Sequence, residues 1–327
     1  MRTVWTMGFV ATAALSFCLP DYLVFRGTQA AIWAIALAGL VLLCGISGQF
    51  SFAQAALYGM GGYTAAIVAA QAGGAGYGGL LLSPVVGFAA GYGLGRVASG
   101  HSIWTQALVS YALAIAFPQL LRWRLIENWT GGVNGLYLDT PASPFAWVSD
   151  DQWMFLMALS LLGGGLLLAG NVIASRSGRA LMAARDELAA SAQGIRVVHV
   201  RSVASGLAGA YLAVAGCLGS FQYGFVGPGS YNFALSVQML FGLVVGGMYS
   251  LTGAVLGALF LQFFPYIVAP LGKGLSALIY AVLLIGVMVL LPAGLAGALT
   301  RVIRSLRWQA PANAAARKDR AHSPPAH

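Results

Sequence analysis

Acid–base, metal or proton-transfer chemistry needs carboxylates, imidazoles or thiols gathered in one place, and this chain scatters them. Its acidic residues are Asp21, Glu127, Asp139, Asp150, Asp151, Asp186, Glu187 and Asp319, and its histidines are His101, His199, His322 and His327. Each falls in a stretch that hydropathy leaves outside a hydrocarbon phase. Cys18, Cys44 and Cys217 lie in apolar surroundings without CxxC spacing, which reads as packing rather than metal binding or disulfide formation. The chain also lacks a Gly-x-x-x-x-Gly-Lys-Ser/Thr loop for cradling phosphate. The expectation is no catalytic residue, no metal and no cofactor, hence no enzyme.

Two groups of polar residues remain. Gln49, Ser51, Gln54 and Tyr63 place hydrogen-bonding groups in an otherwise apolar segment, where leaving each without a partner would cost about 1 to 3 kcal/mol. They line a path for a neutral cargo or bridge neighbouring helices, and the sequence leaves both readings open. The second group lies in the stretch from Ser175 to Ile195. There Leu181, Ala184, Leu188, Ala192 and Ile195 recur at three- and four-residue intervals, which predicts one helix with a small apolar face, capped by Ser177 and ended by Gly194. Its other face carries Arg185, Asp186 and Glu187. Such a helix is shaped to dock in a groove of another protein. Resting on anionic lipid is the competing reading, which Arg176, Arg179, Arg196 and Arg201 favour and the central acidic pair opposes.

The elements that must position these residues are membrane helices. Of the 327 residues, 59% are hydrophobic and 8% charged, against roughly a quarter charged in a soluble domain. No charged residue occurs from Gly27 to Gly95, and between Arg201 and Arg301 only Lys273 does. Stretches of about 17 to 25 apolar residues occur at about ten places. They run near 4–20, 28–46, 51–71, 78–96, 103–121, 152–173, 202–222, 234–249, 252–270 and 275–293, and the eighth and ninth could instead form a re-entrant hairpin. The first is read as a retained helix rather than a signal peptide. Residues 309–327 have the composition of a disordered tail, leaving 1–308 as the transmembrane domain.

Thirteen of the 17 Lys and Arg fall on one side of that arrangement, with Arg26, Arg122, Arg124 and Lys273 on the other. The positive-inside rule then puts both termini and the loop 175–200 in the cytoplasm, and the loop 122–151 outside. In that outer loop Trp123, Trp129 and Trp147 suit an interfacial belt, and Thr130, Gly131, Gly132, Asn134 and Gly135 suit a folded turn at the outer mouth. Gly87, Gly91 and Gly95 fall four apart, as do Gly242 with Gly246 and Gly253 with Gly257, a spacing that lets helix backbones approach closely in lipid.

Four segments resemble a known family in its own order. Gly178, Arg179, Ala183, Arg185, Asp186, Glu187, Ala190, Gly194 and Ile195 resemble the coupling loop of permeases in branched-chain amino acid ABC importers. Ser47-Gly-Gln-Phe-Ser51 with Tyr63, Thr130-Gly-Gly-Val-Asn-Gly-Leu136, and Gly246-Gly-Met-Tyr-Ser-Leu-Thr-Gly-Ala-Val-Leu-Gly-Ala258 are similar to further motifs of the same family, and more specifically of its LivM type. Gly62 and Tyr249 depart from the family's usual residues. The resemblance implies an all-α, type II importer-like permease of the bacterial inner membrane, with some helices broken or re-entrant. It implies ATPase coupling through Gly178, Arg179, Arg185, Asp186, Glu187, Ala190 and Gly194, and helix packing through Gly246, Gly247, Gly253 and Gly257. The partners it implies are two ATPase subunits, a sister permease of LivH type and a periplasmic solute-binding protein, with no nucleic acid. The cargo would be branched-chain or related amino acids; urea, short amides or aromatic acids on the same machinery, or an ion-coupled secondary carrier, are the alternatives.

Overall fold

The computed structural model describes residues 20–72, 77–99, 103–145, 148–268 and 294–301, with isolated positions 279, 282 and 286. The expected first span, the tenth apart from those isolated positions, the tail 309–327, Lys273, Trp147, Cys18, His101, His322, His327 and Asp319 lie outside the described residues.

The described chain is all-helical apart from one two-residue ribbon. Helix α1 spans Asp21–Leu40 and continues as a π-helical stretch, Val41–Ile46. It is followed by α2 (Gln54–Ala72), α3 (Tyr77–Ala98), α4 (Ile103–Leu121) and a single turn, α5 (Glu127–Thr130). Strand β1 (Leu136–Tyr137) precedes α6 (Asp150–Ala174), and two short helices follow, α7 (Arg176–Ala183) and α8 (Glu187–Ala192). The long α9 (Val197–Tyr223) leads into β2 (Phe225–Val226), then α10 (Phe233–Gly246) and α11 (Leu251–Val268). β1 and β2 pair antiparallel, Leu136 opposite Val226.

Among the described residues seven helical stretches are long and apolar enough to cross a membrane, namely Asp21–Ile46, Tyr77–Ala98, Trp104–Leu121, Asp150–Ala174, Val197–Tyr223, Pro228–Gly246 and Leu251–Val268. The chain is a multi-pass membrane protein. The eighth and ninth expected spans are therefore both long enough to cross. Helix α2 has 19 residues but is not among the seven, because Gln54, Tyr58, Tyr63, Thr64 and Gln71 lower its apolarity. Gln54 and Tyr63 are buried by the surrounding helices and Tyr58 and Thr64 partly so, so protein rather than lipid solvates those four groups. The best window of the α1 crossing is 94% buried and that of α9 72%, against 22% for α3. α1 and α9 are thus the central helices, and α3, α4, α6 and α11 form the rim.

Glycines set how closely the helices approach. Gly87, Gly91 and Gly95 all face α9, where an added methyl would strike Gly209 O, Ser205 O and Ser202 Cα respectively. Across the α10–α11 hairpin, a methyl at Gly246 would strike Gly253 O, one at Gly253 would strike Gly247 O, and one at Gly257 would strike Gly242 O. Gly247, with φ of 117°, makes the turn. Small residues at this seam substitute backbone contact for the hydrophobic drive that lipid removes. Gly257→Leu should lower the thermal midpoint of the detergent-purified protein by about 5 °C or more. Gly164→Leu is the control, because nothing lies within 4 Å of its Cβ position; equal behaviour of the two variants would refute the seam.

The bundle has two distinguishable ends. At one, Phe25 meets Tyr223 with ring centres 6.4 Å apart, Arg26 lies over the rings of Tyr22 and Tyr266, and β1 pairs with β2. At the other, α7 and α8 meet the end of the α1 crossing, the end of α3 and the start of α9. These are called the strand end and the loop end.

Candidate functional site: two broken crossings and a loop that grips them

Two crossings are interrupted by non-helical backbone. After Ile46 the chain leaves its helix at Ser47, takes a left-handed conformation at Gly48 (φ 71°), and becomes helical again only at Gln54. After β2, residues Gly227–Asn232 run as a short 3-10 turn and extended chain before α10 begins. Non-helical backbone within a membrane protein is tolerated where protein buries it or where it lines a cavity, and discontinuous helices commonly mark the binding region of transporters.

The two interruptions meet. The Phe52 and Phe233 rings are 5.6 Å apart, and Phe233 contacts Tyr111 at 5.0 Å. The freed amides are capped from outside their own helices, Phe52 N by Ser110 Oγ and Ala55 N by Ser236 Oγ, each at 2.9 Å. Toward the strand end, Tyr231 packs against Tyr58, Tyr63 and Phe117, with ring centres 5.9 to 6.4 Å apart. The result is a neutral aromatic and hydroxyl core with no ionised group among the described residues.

The four path candidates fall at different places in this core. Gln49 is 2% exposed and fully bonded. Its amide nitrogen donates to Ser47 Oγ (2.8 Å) and Arg201 O (3.0 Å), and its oxygen accepts from Gln106 Nε2 (2.9 Å) and Ser205 Oγ (3.3 Å). It is a knot tying two helices, α4 and α9, to the first break at the loop end. Ser51 Oγ accepts from Ala53 N at 3.3 Å. Gln54 donates to Ser51 O, yet its Oε1 has no partner, and neither has the buried Tyr63 hydroxyl. Gln54 and Tyr63 therefore keep free hydrogen-bonding capacity in the core, whereas Gln49 does not.

The loop is two helices, where the sequence predicted one. Ser175, not Ser177, caps α7, its Oγ accepting from Gly178 N at 3.3 Å. The chain breaks after Ala184, and Asp186 Oδ1 caps α8 through Ala189 N at 3.1 Å. Asp is a strong capping residue, so a carboxylate expected on an exposed helix face instead starts a new helix. Gly194, at φ 76°, ends it as expected. The predicted apolar face is also divided. Leu181, Ala184 and Ala190 are buried against the chain itself, whereas Leu188 is 86% exposed and Ala192 is exposed. Gly178 sits under the Val172 and Ile173 carbonyls, and Arg179 is exposed.

Arg185 reaches back into the bundle. Its Nε donates to Ile46 O at 3.0 Å, its stem covers Gly48, and its guanidinium carbon lies 5.1 Å from the Tyr249 ring centre. One side chain thus holds the loop to the first break and to the α10–α11 turn, using a charge-assisted hydrogen bond and a cation–π contact. Tyr249, where the resembled family has glycine, supplies that ring. Arg201 completes the grip, its Nη1 on Glu187 Oε2 at 3.0 Å and its Nη2 on Ala184 O at 3.1 Å. Arg201 and Gln49 thus link α8 to the first break in series.

At the strand end, Thr130 Oγ1 donates to Leu121 O at 2.8 Å, closing α4. Gly131, Gly132 and Gly135 have φ of 70°, 55° and 70°, and a methyl at Gly135 would strike Val226 O. The Thr130–Leu136 segment delivers β1 to β2, directly before the second break. Trp123 and Trp129 are 55% and 59% exposed, as a belt requires. Sequence reasoning missed Gln106, Ser110, Ser205 and Ser236, which bond to Gln49 or cap the amides at the first break. The available signal was a lone polar residue inside an apolar run. Among the described residues no group of three or more His, Cys, Asp or Glu could hold a metal.

Residues 22–302 match the family model described as "Branched-chain amino acid transport system / permease component". The chain is 27% identical over 289 residues to the high-affinity branched-chain amino acid transport system permease protein LivM of Escherichia coli K12, covering 77% of this chain and 66% of that protein. It is 27% identical over 277 residues to the protein of the same name from Salmonella typhimurium, covering 73% and 63%. A shorter match, 38% over 148 residues, is to the autoinducer 2 import system permease protein LsrC of Klebsiella pneumoniae, covering 41% and 40%. The chain thus spans slightly less than two thirds of the length of the LivM relatives. No solved structure matches.

Proposed function

We propose, on the premise that this chain belongs to the branched-chain amino acid transport system permease family, that it is a non-catalytic, membrane-spanning subunit of an ATP-driven importer for branched-chain or related amino acids. The observation that carries this reading is the Arg185 grip, which ties the loop 175–200 to the first break at the end of the α1 crossing. A loop so tied can convert a partner's movement into a shift of the first break, and among the described residues the core offers no carboxylate or imidazole to take up a coupling proton.

On this reading two ATPase subunits act on the loop 175–200 through Arg179, Arg185, Asp186, Glu187 and Gly194, while the buried Gly178 and Ala190 seat the loop on the bundle. The exposed Leu188, rather than Leu181, is the apolar contact offered to them. A sister permease completes the path, and a periplasmic binding protein delivers cargo at the outer loop 122–151, where Thr130–Gly135 shape the mouth. Gln54 and Tyr63 line the path, with Ser51 beside them, while Gln49 holds the gate region together. The chain sits in the inner membrane with both termini cytoplasmic, as domain 1–308 followed by the tail 309–327. The LsrC match supports one second reading, in which the same machinery carries a different small polar cargo.

The test is uptake of labelled leucine by vesicles holding the chain with its ATPases, sister permease and binding protein. Uptake should need both ATP and binding protein and should be unchanged by a proton gradient. Gradient-driven uptake by this chain alone would overturn the proposal.

A further inference from the structure

A cleft of about 420 Å³ opens at the loop end between α3, α8 and the first turn of α9. Arg96, from the last turn of α3, and Arg196 and His199, from the start of α9, line it together with Ser191 of α8. Neither Arg96 nor Arg196 has an ion-pair partner among the described residues, whereas Glu187, the cleft's one carboxylate, is held by Arg201 at 3.0 Å. His199 Nδ1 lies 3.3 Å from the Tyr92 hydroxyl. No side chain caps α9, so the amides of its first turn add donors and positive potential to the same cleft.

We propose that this cleft binds the phosphodiester headgroup of an anionic phospholipid. Two unpaired guanidinium groups on separate elements, an imidazole and a hydroxyl form a donor set suited to a phosphate oxyanion. Depth favours lipid over a soluble anion, because the cleft lies where two membrane crossings end. The face of α3 that carries Gly93 and Val97 leads away from it and is uncovered among the described residues. Nothing lies within 4 Å of the Gly93 Cβ position, Val97 is 63% exposed, and Phe88 stacks on Tyr92 at 6.1 Å. That face offers an acyl chain a track that free phosphate would not use. The headgroup would bridge α3 to α8, bracing the loop against the bundle.

The test is native mass spectrometry of the detergent-purified chain given equal amounts of phosphatidylglycerol and phosphatidylcholine. The protein should retain one phosphatidylglycerol in preference, and Arg96→Gln/Arg196→Gln should weaken retention about thirtyfold. Arg176→Gln, outside the cleft, and the charge-keeping Arg96→Lys/Arg196→Lys should not. Size-exclusion profiles matching wild type show that each variant is folded. Equal retention of the two lipids, or equal loss in Arg176→Gln, overturns the site. Displacement of the lipid by millimolar inorganic phosphate assigns the cleft to a soluble anion and overturns the lipid assignment. Crosslinking of Arg96 and Arg196 positions to an ATPase subunit in the assembled complex, with no lipid retained, assigns it to protein contact instead.

Discussion

Arg185→Glu should abolish ATP-driven uptake while leaving the protein inserted in the membrane. The substitution sets a carboxylate against the Ile46 carbonyl and the Tyr249 ring face, replacing two attractions with two repulsions. Coupling energies between distant sites are typically 1 to 3 kcal/mol, so losing the whole link corresponds to a drop of about 5- to 150-fold. The drop should appear in vesicle uptake, with ATP hydrolysis by the partner subunits persisting and no longer stimulated by loaded binding protein. Uptake within twofold of wild type would remove Arg185 from the coupling route. Gly194→Trp tests the same loop differently, because the site has open space but a left-handed backbone, so it strains the end of α8.

Gln49→Leu should be strongly destabilising. Leucine fills a similar volume but strands the Gln106 amide and the Arg201 carbonyl, and it leaves Ser47 and Ser205 to find new partners. Each buried group left unmet costs about 1 to 3 kcal/mol, so the total is on the order of 3 to 5 kcal/mol. For a chain of this size that lowers the thermal midpoint by about 10 °C. The measurement is thermal unfolding in detergent beside Gln54→Leu, whose Oε1 is already unpaired and which should cost less. A Gln49→Leu protein as stable as wild type but altered in cargo preference would return Gln49 to the path.

The contrast between Gln49 and Gln54 marks what the sequence could convey. Polar punctuation located most ends of the described crossings within a few residues, because charge and hydropathy act locally. The α1 crossing begins at Asp21 rather than near 28, since Asp21 and Arg26 sit in the end turns that a hydropathy cut discards. The break of the loop helix was legible in principle, as Asp186 followed by Glu187 is a helix start. The π-helical Val41–Ile46 and the second break were not, because each depends on neighbours far away in sequence: Met248 against Gly45, and Phe52 against Phe233. Likewise four similar-looking polar residues divide into a bonded knot and a pair with spare capacity only through their partners.

The neutral core has an electrical meaning. Carrying one elementary charge through the membrane potential changes the energy by about 2.3 kcal/mol per 100 mV. The interior groups that meet at the two breaks are phenol, phenyl, amide and hydroxyl, while the charged side chains of the described crossings stay near their ends. Helices that tilt or slide about such a core move no gating charge through the field. For the described crossings, the resting potential of the cell then neither drives nor opposes such a movement.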